Sequence, residues 1–154
     1  VIDHALMNGY SLAWASDVSE EGFSFRQGMA LVPLDGAKIK KSGKDNKNFS
    51  DAGAAKESTV FDAPCEEKEI TQEMRQLAFD NYETTDDHGM HMTGIVKDQT
   101  GKKYYIIKNS WGTSYNDCDG YFYASEAFVE YKTMDIMLHK DAVPKNIKKK
   151  LGIK

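Results

Sequence analysis

The chain has 154 residues, of which 40% are hydrophobic and 29% are charged, and its formal net charge is -4. This length is sufficient for one compact domain with its own core, and the composition is ordinary for a globular protein. The acidic balance argues against nucleic-acid binding, so the basic run 148–150 is interpreted as a solvated helix face. No apolar run approaches the ~20 residues that a membrane-spanning helix needs, so no membrane contact is expected.

The first third of the chain is predicted to hold a helix end, a strand and a short turn of helix. Residues 1–8 are typical of the end of a helix, which Asn8 and Gly9 would terminate. Residues 10–15 are aromatic and apolar without charge, which favours a strand. Residues 23–32 are expected to form a short helical turn that leads into an extended segment. Because the chain opens inside a helix and without a signal-peptide pattern, we expect it to come from a longer parent.

The middle of the chain is predicted to be irregular. Residues 33–64 lose hydrophobic periodicity and are rich in glycine and lysine, which indicates a polar surface insert. A loop of this length without its own secondary structure is unusual in a compact domain and points to either function or disorder. After it, Thr71 is expected to cap a helix that continues to residue 82.

The remaining residues are dominated by strand patterns. Strands are predicted at 90–96, 104–108, 120–124 and 133–139, with a short helix at 125–131 and a basic helix after Pro144. Gly101 suits a tight turn between the first two of these strands. The sequence therefore predicts one β-rich α+β domain over residues 1–154, with an antiparallel sheet or half-barrel and few helices. Residues 140–154 would form a C-terminal arm.

The predicted hairpin brings His88 and Asn109 to the same edge of the sheet, although they are far apart in sequence. An imidazolium stabilises a neighbouring cysteine thiolate, and an Asn amide oxygen fixes the orientation and tautomer of the imidazole without adding a charge. Trp111 can cover the hydrogen bond between the two side chains and exclude water from it. These roles suit His88 and Asn109 as catalytic residues and Trp111 as a supporting residue, an assignment that the motif resemblance described next implies.

The five residues 108–112, Lys-Asn-Ser-Trp-Gly, resemble a motif of papain-like cysteine peptidases that is diagnostic when a His precedes it on a hairpin. The stretch 119–122 resembles the Gly-Tyr strand that follows this motif in the superfamily. Residues 88–90, His-Gly-Met, are similar to the His-Ala-Met of bacterial aminopeptidase C and bleomycin hydrolase, with Gly in place of Ala. Residues 84–154 thus resemble the C-terminal part of such an enzyme.

The resemblance implies a cysteine aminopeptidase that removes N-terminal residues from peptides and needs neither a metal nor another cofactor. In this group a C-terminal arm lies in the cleft, and its terminal carboxylate binds the amino group of the substrate. Lys154 would carry that carboxylate here, unless the arm is a disordered tail. The relatives assemble as hexamers, so the parent is expected to be a homo-oligomer. A cytoplasmic location is expected from the low cysteine content, with the periplasm left open.

The nucleophilic cysteine of that family stands in a Gln-x-x-x-Cys-Trp context, which this sequence does not contain. Cys65 and Cys118 are both flanked by acidic residues, an environment that disfavours the thiolate. We therefore expect both cysteines to be passive, and the nucleophile to lie in an N-terminal half of the parent that would be a required partner. The chain alone is expected to be inactive.

Three alternatives remain open. His88 and His91, with Asp86 and Asp87, could offer zinc ligands, but residues three apart on a strand face opposite sides. Ser110 could be a serine nucleophile, but no Gly-x-Ser-x-Gly turn surrounds it. A non-catalytic papain-like module that binds or inhibits other proteins is the strongest alternative, because the expected nucleophile is missing.

Overall fold

The computed structural model describes residues 1–39 and 59–153, and within these ranges it shows one seven-stranded sheet with four α-helices. The strands are β1 (Leu12–Ser16), β2 (Phe23–Ser24), β3 (Met29–Ala30), β4 (His88–Lys97), β5 (Lys103–Lys108), β6 (Tyr121–Ser125) and β7 (Thr133–Met137). The helices are α1 (Ile2–Met7), α2 (Gln72–Asp80), α3 (Glu126–Lys132) and α4 (Lys145–Leu151), with a 3-10 turn at Lys140–Ala142. The predicted β-rich α+β fold is confirmed.

The strands form a half-barrel in the order β2-β3-β6-β5-β4-β1-β7. All neighbouring pairs are antiparallel except β3 and β6, which run parallel. The prediction of a helical turn within residues 23–32 is wrong, because β2 and β3 form a small hairpin there. Gly28 closes the hairpin by donating its N–H to the carbonyl of Phe25, with a positive φ of 69° that suits glycine.

The core lies between the sheet and α3. Trp14, Phe122 and Phe128 are its largest fully buried apolar side chains, and Trp14 packs edge-on against Phe128. Each side chain of this size stabilises the fold by about 1.5–3 kcal/mol when it leaves water. The indole N–H of Trp14 is also satisfied, because it donates to the Thr133 hydroxyl at 2.8 Å. This core fixes β1, β6 and β7 relative to one another, and β1 in turn pairs with the strand that begins at His88.

The helices begin where the side chains allow a cap. Thr71 accepts a hydrogen bond from the N–H of Met74, as predicted, and α2 begins at the next residue. Ser125 does the same for α3 by accepting from the N–H of Phe128 at 3.1 Å. In the described ranges, no helix is long and apolar enough to cross a membrane.

The structure describes the two ends of the predicted insert at 33–64. Its two described ends lie beside each other, since Val60 donates its N–H to the carbonyl of Lys38 and Pro33 forms a bridge with Glu67. Residues 40–58 of the insert lie outside the described residues. The C-terminal arm is described up to residue 153 and contains the 3-10 turn and α4. The division into one domain with an insert and an arm stays a prediction.

Candidate active site

His88 and Asn109 are joined by a direct hydrogen bond, with 2.7 Å between His88 Nε2 and Asn109 Oδ1. The same Oδ1 also accepts the backbone N–H of Ser110 at 2.7 Å. Because a backbone N–H can only donate, it identifies the amide atom at this position as the oxygen. His88 Nε2 must then carry the proton. The tautomer of the imidazole is thus fixed by a backbone group one residue away from Asn109.

The other ring nitrogen of His88 is the one that can take part in chemistry. With its proton on Nε2, the neutral imidazole presents a lone pair at Nδ1. Nδ1 makes no hydrogen bond to any residue in the ranges 1–39 and 59–153. The ring can therefore accept a proton at Nδ1 and return it, while Nε2 stays anchored to Asn109.

A β-bulge in β4 places His88 on the same face as Asn109. From Lys97 back to Gly94, β4 pairs residue by residue with β5, and Gly94 lies opposite Ile106. Met92 then lies opposite Ile107, so Thr93 is an extra residue of β4 that has no partner in β5. His91 pairs with Lys108, so the next position in this register places Asn109 opposite Met90. His88 is two residues from Met90 and therefore lies on the same face of the sheet. Without the extra residue, the alternation of side chains would turn His88 to the opposite face.

Trp111 covers the hydrogen-bonded pair. Its ring is stacked on the imidazole of His88 with 4.8 Å between centroids and 30° between planes. Phe25 and Phe23 hold the indole edge-on from behind, at 5.2 and 5.9 Å. The indole itself is 41% exposed, whereas Asn109 is only 4% exposed. Trp111 thus covers the ring of His88, and Asn109 is buried beside that ring.

The loop after Trp111 is held in place by Asn116. Its amide group donates to the carbonyls of Phe25 and Tyr121, and its oxygen accepts the N–H groups of Cys118 and Gly120. Four hydrogen bonds from one side chain fix the loop against the strand that carries the aromatic support of Trp111. Asn116 is not among the residues predicted from the sequence, although Asn in a turn-forming stretch is a common sign of such a role.

The two cysteines lie apart from the imidazole. Lys102, just before β5, donates to the carbonyl of Cys65 at 2.9 Å, so Cys65 lies beside the hairpin turn. His88 is at the other end of the ten-residue β4, roughly 30 Å away at 3.3 Å per residue. Burial and the neighbouring Glu67 carboxylate raise the pKa of the Cys65 thiol. A thiol in this state is a poor nucleophile at neutral pH.

Cys118 packs against the backbone of the turn at Gly28. A Cβ atom added to Gly28 would lie 2.8 Å from the Cys118 sulfur, so the thiol sits directly against that turn. In the part of the chain that the structure describes, neither thiol forms a hydrogen bond with His88. The structure therefore brings together His88, Asn109 and Trp111 but adds no cysteine to them.

The C-terminal arm follows β7, an edge strand that only β1 separates from β4. Thr133, the first residue of β7, pairs with Ser16, which itself pairs with His88, and β7 then runs away from this end. The chain leaves β7 after Met137 and continues into the 3-10 turn and α4. Lys154, the residue predicted to bind the substrate's amino group, lies outside the described residues.

The zinc alternative gains no support from the geometry. His91 is exposed and is three residues from His88 on β4. Among the described residues, no three His, Cys, Asp or Glu side chains are grouped in a way that could hold a metal ion. Ser110 takes part in the site through its backbone N–H, which fixes the amide of Asn109.

The half-barrel and the His–Asn pair define the β-rich part of a papain-like cysteine peptidase. The chain belongs to the Peptidase C1-like family, whose model matches residues 32–153. The resemblance of the sequence to the C-terminal part of papain-like cysteine peptidases is thereby confirmed at the level of the family.

Three known proteins are similar to this chain over different shares of its length. The structure of pepw from Lactobacillus rhamnosis is similar over 99% of this chain, with a TM-score of 0.58 and 22% identity, which supports the fold alone. Cathepsin L1 of Drosophila melanogaster is 45% identical over 31 residues, or 20% of this chain. Bromelain from Ananas comosus aligns over 83% of the chain at 14% identity, with a TM-score of only 0.38. The chain spans 29% of pepw and the matched segment spans 8% of cathepsin L1.

Proposed function

We propose that this chain is the His- and Asn-bearing C-terminal portion of a cysteine aminopeptidase, and that the nucleophile comes from outside the chain. The observation that carries the proposal is the bond from His88 Nε2 to Asn109 Oδ1, which is fixed by the Ser110 N–H. This arrangement leaves Nδ1 of His88 as the proton-transfer atom. Cys65 lies at the far end of β4 with a raised pKa, which favours a nucleophile supplied elsewhere.

The proposed reaction uses His88 twice. The imidazolium first stabilises a thiolate, which attacks the carbonyl carbon of the first peptide bond. The proton on Nδ1 of His88 then passes to the leaving amine, and an acyl-enzyme remains. Nδ1 next accepts a proton from water, which attacks the acyl carbon and releases the N-terminal residue. Asn109 keeps the ring in one orientation throughout, and Trp111 excludes water from the bond between them.

The aminopeptidase specificity, the hexameric assembly and the cytoplasmic location belong to this proposal. The similarity of residues 88–90 and of the arm after β7 to aminopeptidase C and bleomycin hydrolase supports the first two, and the low cysteine content supports a cytoplasmic location, with the periplasm left open. A fixed anion near the cleft would select substrates with a free N-terminal ammonium group. The terminal carboxylate of Lys154 is the candidate for that anion in the assembled parent.

The test is hydrolysis of an aminoacyl-coumarin substrate with a free amino group. We expect no turnover by the chain alone, and thiol-dependent turnover when the N-terminal half of its own gene product is added. An N-acetylated form of the same substrate should not be hydrolysed. His88→Ala should abolish turnover, while His91→Ala, which changes the neighbouring exposed histidine on the same strand, should leave it intact.

The outcomes distinguish an aminopeptidase from an endopeptidase and from a non-catalytic module. Equal hydrolysis of the free and the acetylated substrate would contradict an aminopeptidase and indicate an endopeptidase. Absence of turnover in the reconstituted protein, with both halves folded and associated, would favour the non-catalytic binding or inhibitory module.

A further inference from the structure

A buried carboxylate binds the backbone of the segment that precedes His88. Asp17 directly follows β1 and is 1% exposed. One of its oxygens accepts the N–H of Thr85 at 2.8 Å, and the other accepts the N–H and the hydroxyl of Ser19 at 2.9 and 2.7 Å. Both oxygens are therefore occupied by donors, as a buried charge requires.

A second carboxylate returns the contact from the opposite side. Asp87, the residue before His88, accepts the N–H of Val18 through Oδ1 at 2.9 Å. Asp17 thus binds the backbone of the 84–87 segment, and Asp87 binds the backbone after β1. The two bonds lie next to the pair Ser16 and His88, which ends the ladder between β1 and β4. Side-chain bonds thus continue the pairing of the two segments beyond the last ladder pair.

A buried lysine fixes the same segment from α3. The ammonium group of Lys132 donates to the hydroxyl of Thr84 at 2.9 Å and forms an ion pair with Glu20 at 2.6 Å. Thr84 also donates its N–H to the carbonyl of Ala78 at the end of α2. The residues before His88 are therefore held by β1, α2 and α3 together.

We propose that Asp17 is a positioning residue that sets the ring of His88 through this reciprocal clamp with Asp87. The inference rests on the proposed role of His88 as the proton-transfer residue. A hydrogen bond of 2.7 Å weakens steeply when its donor is displaced or rotated, so the bond to Asn109 depends on where the backbone of residue 88 is held. Asp17 acts on that backbone and does not touch the ring.

The test is the protonation pattern of the His88 ring, measured by long-range proton–nitrogen NMR of the 154-residue chain at about pH 8.5, where histidines are neutral. The wild-type chain should show the single tautomer with its proton on Nε2. Asp17→Asn replaces one acceptor oxygen by an NH2 group, which must face the N–H of either Thr85 or Ser19. We expect the variant to show both tautomers, with at least a tenth of the ring protonated on Nδ1.

The matched control is Glu67→Gln. Glu67 is also a buried carboxylate that accepts a backbone N–H, from Val32 at 2.6 Å, together with the hydroxyl of Ser125. Its partners are Val32 just after β3, Ser125 at the end of β6 and Lys102 in the turn between β4 and β5, and none of them belongs to the 84–88 segment. This variant should lower Tm as Asp17→Asn does and leave the His88 spectrum unchanged.

The possible results distinguish the clamp from the proposed function. A folded Asp17→Asn chain with an unchanged His88 spectrum would overturn the clamp alone, as would equal changes in both variants. A wild-type ring without the Nε2-protonated tautomer would overturn the clamp and the proposed function together. If Asp17→Asn does not fold, Asp87→Ala removes the reciprocal bond at an exposed side chain, and an unchanged spectrum there would overturn the proposal.

Discussion

At the scale of single residues, the orientation of each polar side chain in the site is set by a hydrogen bond with a neighbouring group. The Ser110 N–H determines which way the amide of Asn109 points, and Asn109 then determines which nitrogen of His88 carries the proton. The sequence predicted the partnership of His88 with Asn109 because both residue types stand at matching ends of a hairpin. It could not predict the role of the Ser110 backbone, since any residue other than proline would supply the same N–H.

Asp17 gives a prediction for acid stability. Burial alone would raise the pKa of its carboxyl group, but hydrogen bonds from Thr85 and Ser19 outweigh burial and hold the pKa below its ordinary value of 3.8, beside the carboxylate of Asp87. A lowered pKa stabilises the folded state above pH 3.8, and this contribution is lost as the pH falls through the folded-state pKa. We expect Asp17→Asn to lower the free energy of unfolding by about 2 kcal/mol at neutral pH. The difference from the wild type should shrink below pH 3.8.

Urea unfolding at a series of pH values from 7 to about 2.5 measures this difference directly. A difference that stays constant across the series would mean that the charge of Asp17 contributes nothing to the fold. The wild type and the variant keep the same charged groups near this carboxylate. These groups are Asp87 and the ion pair of Lys132 with Glu20.

At the scale of the elements, the hairpin of β4 and β5 shows what a pattern can and cannot predict. The strand positions and the turn at Gly101 were predicted from alternation and turn residues, and the structure has them. The bulge at Thr93 was not predicted, because one extra residue leaves the composition of a strand unchanged. Yet the bulge decides on which face His88 lies. The sequence therefore predicted which residues meet, and the structure adds the physical reason.

The short hairpin of β2 and β3 shows a different limit. Two-residue strands carry too little alternation to be distinguished from a turn of helix, and residues 23–32 were assigned wrongly for this reason. Their strand geometry depends on distant partners, since β3 lies parallel to β6. Phe23 and Phe25 thereby reach Trp111, a contact that no local signal indicates.

Gly120 gives a prediction for the loop that supports Trp111. Its φ is 78°, and an added Cβ atom would lie 2.5 Å from the carbonyl oxygen of Gly112. We expect Gly120→Ala to lower the free energy of unfolding by about 2–5 kcal/mol, which combines the positive φ with the steric overlap. Gly101→Ala is the matched control, since Gly101 has a φ of 90° but nothing within 4 Å of an added Cβ. The control should lose only about 1 kcal/mol.

Chemical denaturation of the two alanine variants tests this comparison. Equal losses would show that the close approach of Gly112 to Gly120 relaxes without cost. A larger loss for Gly120→Ala, accompanied by altered Trp fluorescence, would link the loop to the position of Trp111.

At the scale of the whole molecule, the described residues pair His88 with Asn109, and neither Cys65 nor Cys118 forms a hydrogen bond with His88. The family match covers residues 32–153, and the pepw structure that shares the fold is more than three times as long. In the described ranges, His88 has a hydrogen bond to Asn109 and an aromatic ring stacked on it, and its side chain is only partly buried. This arrangement is what the proposed association with a nucleophile-bearing half requires.

The reactivity of the two thiols tests this account most directly. Iodoacetamide alkylation of Cys65 and Cys118, followed by peptide mass analysis between pH 5 and 8, distinguishes ordinary thiols from a thiolate paired with an imidazolium. If the nucleophile comes from outside this chain, alkylation of both cysteines should slow continuously as the pH falls, and His88→Ala should leave the rates unchanged. Rapid alkylation of either cysteine that persists at pH 5 and disappears in His88→Ala would contradict it, because the nucleophile would then lie within this chain.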